Sequence, residues 1–72
     1  MKTLAQLKPG ESGVIKDFSD DEYSSKFLEM GILPGTAVKI LYTAPFGDPI
    51  CVLVGDASLS MRKREASKIS LQ

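Results

Sequence analysis

The sequence predicts a small, mainly β domain in which about five short strands form a strongly bent barrel, with one inserted α-helix and a short helical turn near the C-terminus. Pro and Gly divide the 72-residue chain at nearly regular intervals, in the segments KPGE, LPGT, PFGDP and VGD. The apolar segments between these turn signals have the length of strands, and a closed barrel leaves few strand edges exposed. A chain of this size has room for one core, so residues 1–72 are expected to form one domain.

The first strand and the helix follow one another directly. GVIKDF, residues 13–18, reads as a strand whose inward face the alternation leaves open. Ser19 and Glu22 then match an S-x-x-E capping box, and Phe18 and Tyr23 stand in the positions of a hydrophobic staple. The negative charges at residues 20 and 21 favour a helix N-terminus.

The helix is expected over residues 20–30, with Gly31 as its left-handed stop. Tyr23, Phe27 and Met30 follow i, i+4, i+7 spacing and form one apolar stripe. We expect the sheet to cover this stripe.

The remaining elements follow from turn chemistry and strand composition. LPGT suits a type II turn, and the two residues of the Gly-Asp link after Val54 indicate a hairpin. ICVLV has no polar face, which is typical of a strand covered on both sides, whereas Ala57, Leu59 and Met61 alternate with serines and predict one buried face. The predicted strands are residues 36–44, 50–54, 57–61 and 68–71, and the helical turn lies within RKREASK, residues 62–68.

The composition excludes several classes of protein. The nine basic and nine acidic residues cancel, which disfavours general binding to nucleic acid or to an anionic membrane. The longest apolar run has five residues, far below the roughly 20 of a membrane-spanning helix. With the single Cys51 no internal disulfide can form, and the N-terminus has no signal-peptide pattern. We therefore expect a cytoplasmic protein.

Three segments together resemble the FeoA family of small SH3-like barrels. They are LEMGILPG at residues 28–35, APFGDPI at residues 44–50 and LSMRKREA at residues 59–66, in the family's order and spacing. The resemblance implies an SH3-like fold and a role in bacterial ferrous iron uptake, as an accessory protein that docks on the cytosolic side of a FeoB-type GTPase transporter and modulates or assembles it. Lys26-Phe27 and Phe46 depart from the commonest family residues, which bears on the choice of partner.

The APFGDPI loop is the first candidate site. Two prolines stiffen its backbone and Asp48 suits a cap on the loop's own turn, so little entropy is lost when a partner orders it. We favour a rigid corner in which Phe46 packs back over Tyr42 or the helix; the alternative is an exposed aromatic that binds a partner. The candidate partner-binding residues are Pro45, Phe46, Gly47, Asp48, Pro49, Lys26, Phe27 and Met30.

A basic cluster carries the rival hypothesis. Arg62, Lys63, Arg64 and Lys68 lie close together in the sequence, and we favour a solvated turn with an Arg62–Glu65 pair. As a binding site, the cluster would make the protein a generic small-barrel adaptor or an RNA-binding module. No aromatic residue lies beside the cluster, which weakens that interpretation.

The residues predict neither catalysis nor a cofactor. The chain has no histidine, which is the usual general base near neutral pH, and no phosphate-binding glycine motif. Cys51 reads as a buried free thiol, while Met30 and Met61 read as core residues. No metal site is predicted, although the family handles a transition metal; a weak carboxylate site for a hard cation at residues 20–22 stays an alternative. Self-association through strand edges or Phe46 also stays open.

Overall fold

The computed structural model describes residues 2–18 and 21–72 and contains the predicted elements. Five strands, one helix and a short helical turn were expected, and each is present in the described ranges. An additional 3₁₀ turn lies near the N-terminus. The elements are the 3₁₀ turn Leu4–Gln6, β1 Ser12–Phe18, α1 Asp21–Glu29, β2 Ala37–Thr43, β3 Ile50–Val54, β4 Ala57–Met61, α2 Lys63–Ala66 and β5 Ile69–Leu71.

The five strands form one antiparallel sheet in the order β4-β3-β2-β1-β5. β1 is shared between two partners: Ser12 to Val14 pair with β2, and Ile15 to Phe18 pair with β5. The register of the β1–β5 pairing shifts between Ile15 and Asp17, just after β1 has changed partner. Such a shift bends a strand, which lets a short sheet curl around its own core.

The end of α1 follows the glycine signal in the sequence. Gly31 has φ +82°, its N–H donates to the Leu28 carbonyl at 3.1 Å, and the Ile32 N–H donates to the Phe27 carbonyl at 2.9 Å. These two bonds are the Schellman motif, with the buried Phe27 and Ile32 as its apolar pair. The stop is confirmed, and Met30 belongs to the turn rather than to the helix. The proposed cap at Ser19 lies outside the described residues.

The apolar stripe of α1 packs on the core as predicted. Phe27 is completely buried, and its ring lies 5.2 Å from that of Phe18 and 5.9 Å from that of Tyr23, between centroids. Phe18, Tyr23 and Met30 are partly buried against it. Among the residues whose burial the structure describes, fourteen apolar side chains are buried, namely Leu4, Leu7, Ile15, Phe27, Ile32, Val38, Ile40, Ile50, Val52, Val54, Met61, Ala66, Ile69 and Leu71.

Two strand predictions need correction. β3 is not covered equally on both faces: alternate residues from Ile50 to Val54 are buried, while Cys51 and Leu53 are only half-buried. The cause is that α1 and the core lie on one side of the sheet. An unbroken apolar run therefore does not by itself show that both faces of a strand are buried. In β4, Met61 is buried and Leu59 half-buried, but Ala57 is exposed at the hairpin.

The 3₁₀ turn was not predicted, although it contributes to the core. Leu4 is completely buried, and Thr3 forms an isolated antiparallel bridge to Ser70 beside β5. The Thr3 N–H donates to the Gln6 side-chain oxygen at 2.8 Å, which ties the turn together. No helix in residues 2–18 and 21–72 has the length and the apolar character that crossing a membrane requires.

Candidate functional site

The loop at residues 44–50 is closed by its own backbone. The Gly47 N–H donates to the Ala44 carbonyl at 2.7 Å, and the Ala44 N–H donates to the Pro49 carbonyl at 3.0 Å. Pro45 occupies the second position of the resulting β-turn and Gly47 the fourth, which are the positions that these two residues favour. Gly47 has φ +86°, a value that a side-chain-bearing residue rarely adopts, and the Asp48-Pro49 peptide bond is cis. The two backbone hydrogen bonds make this loop a compact hairpin end with few degrees of freedom.

This geometry places Phe46 at the tip of the loop. Its side chain is 99% exposed, so the favoured interpretation, in which the ring packs over Tyr42 or the helix, is wrong. Tyr42, in the strand just before the loop, is itself 63% exposed. The apolar Phe46 ring is therefore exposed to solvent on a loop whose backbone is closed by hydrogen bonds.

A contact between Asp48 and α2 fixes the loop to the rest of the domain. The Asp48 Oδ1 atom accepts a hydrogen bond of 2.9 Å from the backbone N–H of Lys63, the first residue of α2. We expected Asp48 to cap the loop's own turn, and this prediction is wrong, since the carboxylate instead satisfies one of the unpaired donors at the start of α2. A carboxylate there is also favoured by the helix dipole.

Glu65 connects α2 in turn to α1. One oxygen of its carboxylate forms a salt bridge with Lys26 Nζ, and the other accepts the Arg62 backbone N–H at 3.0 Å. We expected a pair between the Arg62 and Glu65 side chains; the contact exists, but through the Arg62 backbone. The hydrogen bond from Lys26, and then that from Arg62, lower the pKa of Glu65 below its ordinary value. The Glu65 side chain is 13% exposed and that of Lys26 55% exposed.

The structure brings most of the predicted partner-binding residues together. Pro45, Phe46, Gly47, Asp48 and Pro49 form the loop itself. The contacts of Asp48 and then of α2 lead from this loop to the exposed Lys26 on α1.

Phe27 and Met30 are placed differently from Lys26. Phe27 has no exposed surface, because the i, i+4, i+7 stripe faces the sheet, so we remove it from the candidate surface. Met30 is partly buried against the core.

Sequence reasoning missed the part played by α2. It treated the basic cluster and the loop as rival sites, whereas Lys63 lies against the loop: a Cβ atom at Gly47 would be 3.6 Å from Lys63 Nζ. One sequence signal for α2 was available. Glu65 follows Arg62 by three positions, which is the spacing at which a glutamate carboxylate accepts the backbone N–H of a helix N-cap residue. No sequence pattern indicates the contact of Asp48, which spans 15 positions.

The outer face of β2 and β3 lies next to the loop in the chain. Tyr42 pairs with Cys51 across the two strands, after a register shift at Leu41 that leaves the Leu41 side chain 39% exposed. A side-chain hydrogen bond with the Cys51 thiol, followed by the charge of that group, raises the pKa of Tyr42 above its ordinary value. Cys51 is half-buried rather than buried as predicted.

Metal-ligating residues are sparse in the described part of the chain. Within it, no three Cys, His, Asp or Glu side chains lie close enough to hold a metal ion together. The carboxylates at residues 20–22, which the sequence left as an alternative site for a hard cation, lie outside what the structure describes of side chains.

Comparison with known proteins gives matches over almost the entire chain. The FeoA domain family model matches residues 2–72. A Porphyromonas gingivalis Fe(2+) transport protein A/Fe(2+) transporter FeoB fusion protein is 29% identical over 70 residues, which are 96% of this chain. The chain spans 8% of the length of that fusion protein.

Solved structures show the same fold. The iron(II) transport protein A from Clostridium thermocellum is 36% identical, with a TM-score of 0.90, and the match covers 99% of this chain and 44% of that one. Stenotrophomonas maltophilia FeoA in complex with zinc is 26% identical, with a TM-score of 0.87 and coverage of 100% and 91%. That protein is described as a procaryotic SH3 domain protein and a candidate activating factor of ferrous iron transport. The SH3-like fold expected from the sequence is thereby confirmed.

Proposed function

The chain belongs to the FeoA family, and on this premise we propose that it is a non-enzymatic accessory protein of bacterial ferrous iron uptake. It docks on the cytosolic side of a FeoB-type GTPase transporter and modulates or assembles it through that contact. The loop at residues 44–50 supplies the docking element. Phe46 is the residue that the partner buries.

The fusion relative supports the choice of partner. In the Porphyromonas gingivalis protein, a transport protein A portion and a FeoB transporter are parts of one polypeptide. Covalent linkage keeps two modules at high effective concentration, which benefits a pair whose contact is needed but weak.

The exposure of Phe46 is the observation that carries the proposal. A ring that is 99% exposed contributes nothing to the packing of its own domain. Burial of a phenylalanine side chain gains about 2 kcal/mol, which is roughly thirtyfold in affinity. The closed backbone of residues 44–50 adds to this gain because a preorganised loop loses little entropy on binding. Aromatic residues on such loops are typical anchors of protein interfaces.

A binding measurement with a matched control tests the proposal. The full chain is titrated by calorimetry into the GTPase portion of the FeoB-type transporter from the same organism, as wild type, Phe46→Ala and Leu33→Ala. Leu33 is the control because it is also an exposed apolar residue, 48% exposed, in a different turn. We expect Phe46→Ala to raise the Kd roughly thirtyfold and Leu33→Ala to leave it unchanged. Equal affinity of all three proteins would remove Phe46 from the contact, and no binding of the wild type would contradict the choice of partner.

A further inference from the structure

The surface around Phe46 is chemically mixed, with an apolar tip and a positively charged base. The charge comes from α2, whose first residue, Lys63, is held against the loop by the Asp48 carboxylate through the 2.9 Å backbone contact. Lys63 Nζ lies beside Gly47, the residue next to Phe46. Lys63, which the sequence placed in a separate basic cluster, is therefore part of the loop surface.

The acidic groups of the loop and of α2 are already engaged inside the domain. Asp48 caps α2, and both Glu65 oxygens are occupied, by Lys26 and by the Arg62 N–H. In contrast, Arg62, Lys63 and Arg64 are exposed, and among the residues that the structure describes none of their side chains forms an ion pair.

The local charge balance is consequently positive in a chain that is neutral overall. The loop, α2 with its flanking residues, and the last turn of α1 hold five cationic side chains and three carboxylates, namely Lys26, Arg62, Lys63, Arg64 and Lys68 against Glu29, Asp48 and Glu65. The rest of the chain therefore carries the balancing net negative charge, and this surface suits a negatively charged partner surface. Charge arranged in this way acts mainly on the rate of association and on the orientation of the encounter.

We propose that the partner surface is an apolar pocket bordered by acidic side chains: the pocket takes the Phe46 ring, and the acidic border meets Lys63 and the two arginines. This inference rests on the proposed function and names the chemistry of the partner's site. In such an interface the two parts act on different rate constants. The buried ring slows dissociation, and the exposed charges speed association. It also explains why one surface holds both the loop and the basic cluster.

Association kinetics test this inference. The association rate of the full chain with the GTPase portion of the transporter is measured by stopped flow at low and at high salt. The variant Lys63→Gln/Arg64→Gln is compared with Lys8→Gln/Lys16→Gln, which removes the same charge from two exposed positions outside this surface. We expect the first variant to associate more slowly, on the order of fivefold at low salt, and with a weaker salt dependence. The second variant should behave like the wild type.

Each other outcome overturns a defined part of the account. If the wild type binds and Phe46→Ala weakens it, but the two charge variants associate equally fast, the acidic border is refuted and the docking proposal stands. If the wild type binds poly(U) as tightly as the GTPase portion, with the same loss in Lys63→Gln/Arg64→Gln, the cluster is a general polyanion site and the inference is refuted. If the wild type does not bind the GTPase portion at all, the proposed function fails and this inference fails with it.

Discussion

Two phenylalanine-to-alanine substitutions should differ widely in their effect on the free energy of unfolding. Phe46 is 99% exposed, so Phe46→Ala removes no buried surface and should change the free energy of unfolding by less than about 0.5 kcal/mol. Phe27 is fully buried and in contact with two other rings. Loss of a buried phenylalanine costs about 3–5 kcal/mol, and the ring contacts place Phe27→Ala in the upper part of that range. A domain of this size has a total stability of about 4–11 kcal/mol.

Urea unfolding followed by far-ultraviolet circular dichroism measures both effects. With a slope of about 1 kcal/mol/M, Phe46→Ala should move the midpoint by no more than about 0.5 M, and Phe27→Ala should lower it by several molar or leave the chain unfolded. Phe27→Leu, which keeps part of the buried volume, supplies a measurable intermediate. A cost of 2 kcal/mol or more for Phe46→Ala would show that the ring packs on its own domain, and the docking argument would lose its main observation.

Three further substitutions test the contacts around α2 and the end of α1. Glu65→Gln removes the salt bridge to Lys26 and should cost about 0.5–1 kcal/mol at neutral pH. Folding lowers the pKa of Glu65, so this stabilisation is present above the unfolded pKa near 4.5 and is lost as the pH falls through the folded pKa. The free energies of unfolding of wild type and Glu65→Gln should therefore converge in acid. A difference that stays constant with pH would contradict the assignment. Asp48→Ala should cost about 1 kcal/mol and increase amide exchange at Lys63, whose N–H loses its acceptor, and an unchanged exchange rate would refute the cap. Gly31→Ala should cost about 1–2 kcal/mol in chemical denaturation because of its φ of +82°, and a neutral result would argue against the left-handed stop.

The sequence is sufficient for most of the fold because local signals and burial agree in it. Gly31 predicts the end of α1, and the stripe around Phe27 predicts the face that α1 buries. The Gly55-Asp56 link predicts the β3–β4 hairpin, whose register the structure shows directly. In each case the deciding interactions lie within a few residues of one another, so the pattern contains the information.

The candidate site depends on contacts that sequence patterns do not contain. The orientation of Phe46 is set by a turn closed through Gly47 and Ala44, and by the attachment of Asp48 to Lys63 far along the chain. Composition favoured a packed ring because large apolar side chains are more often buried than exposed. The sequence analysis treated the loop and the basic cluster as separate sites for a related reason. Their contact spans 15 positions, and no sequence pattern indicates that they are close in space.

The measurement that tests the central claim most directly is an amide-resolved NMR titration of the labelled full chain with the GTPase portion of the transporter, with and without nucleotide. The account predicts shifts concentrated at residues 44–50 and 62–66 and at Lys26, with the buried Phe27 unaffected. Dependence of these shifts on nucleotide would indicate that the contact responds to the transporter's GTPase cycle. Shifts confined to other surfaces, such as β4 or the turn at Leu33, would contradict the claim that this chain docks through the Phe46 loop.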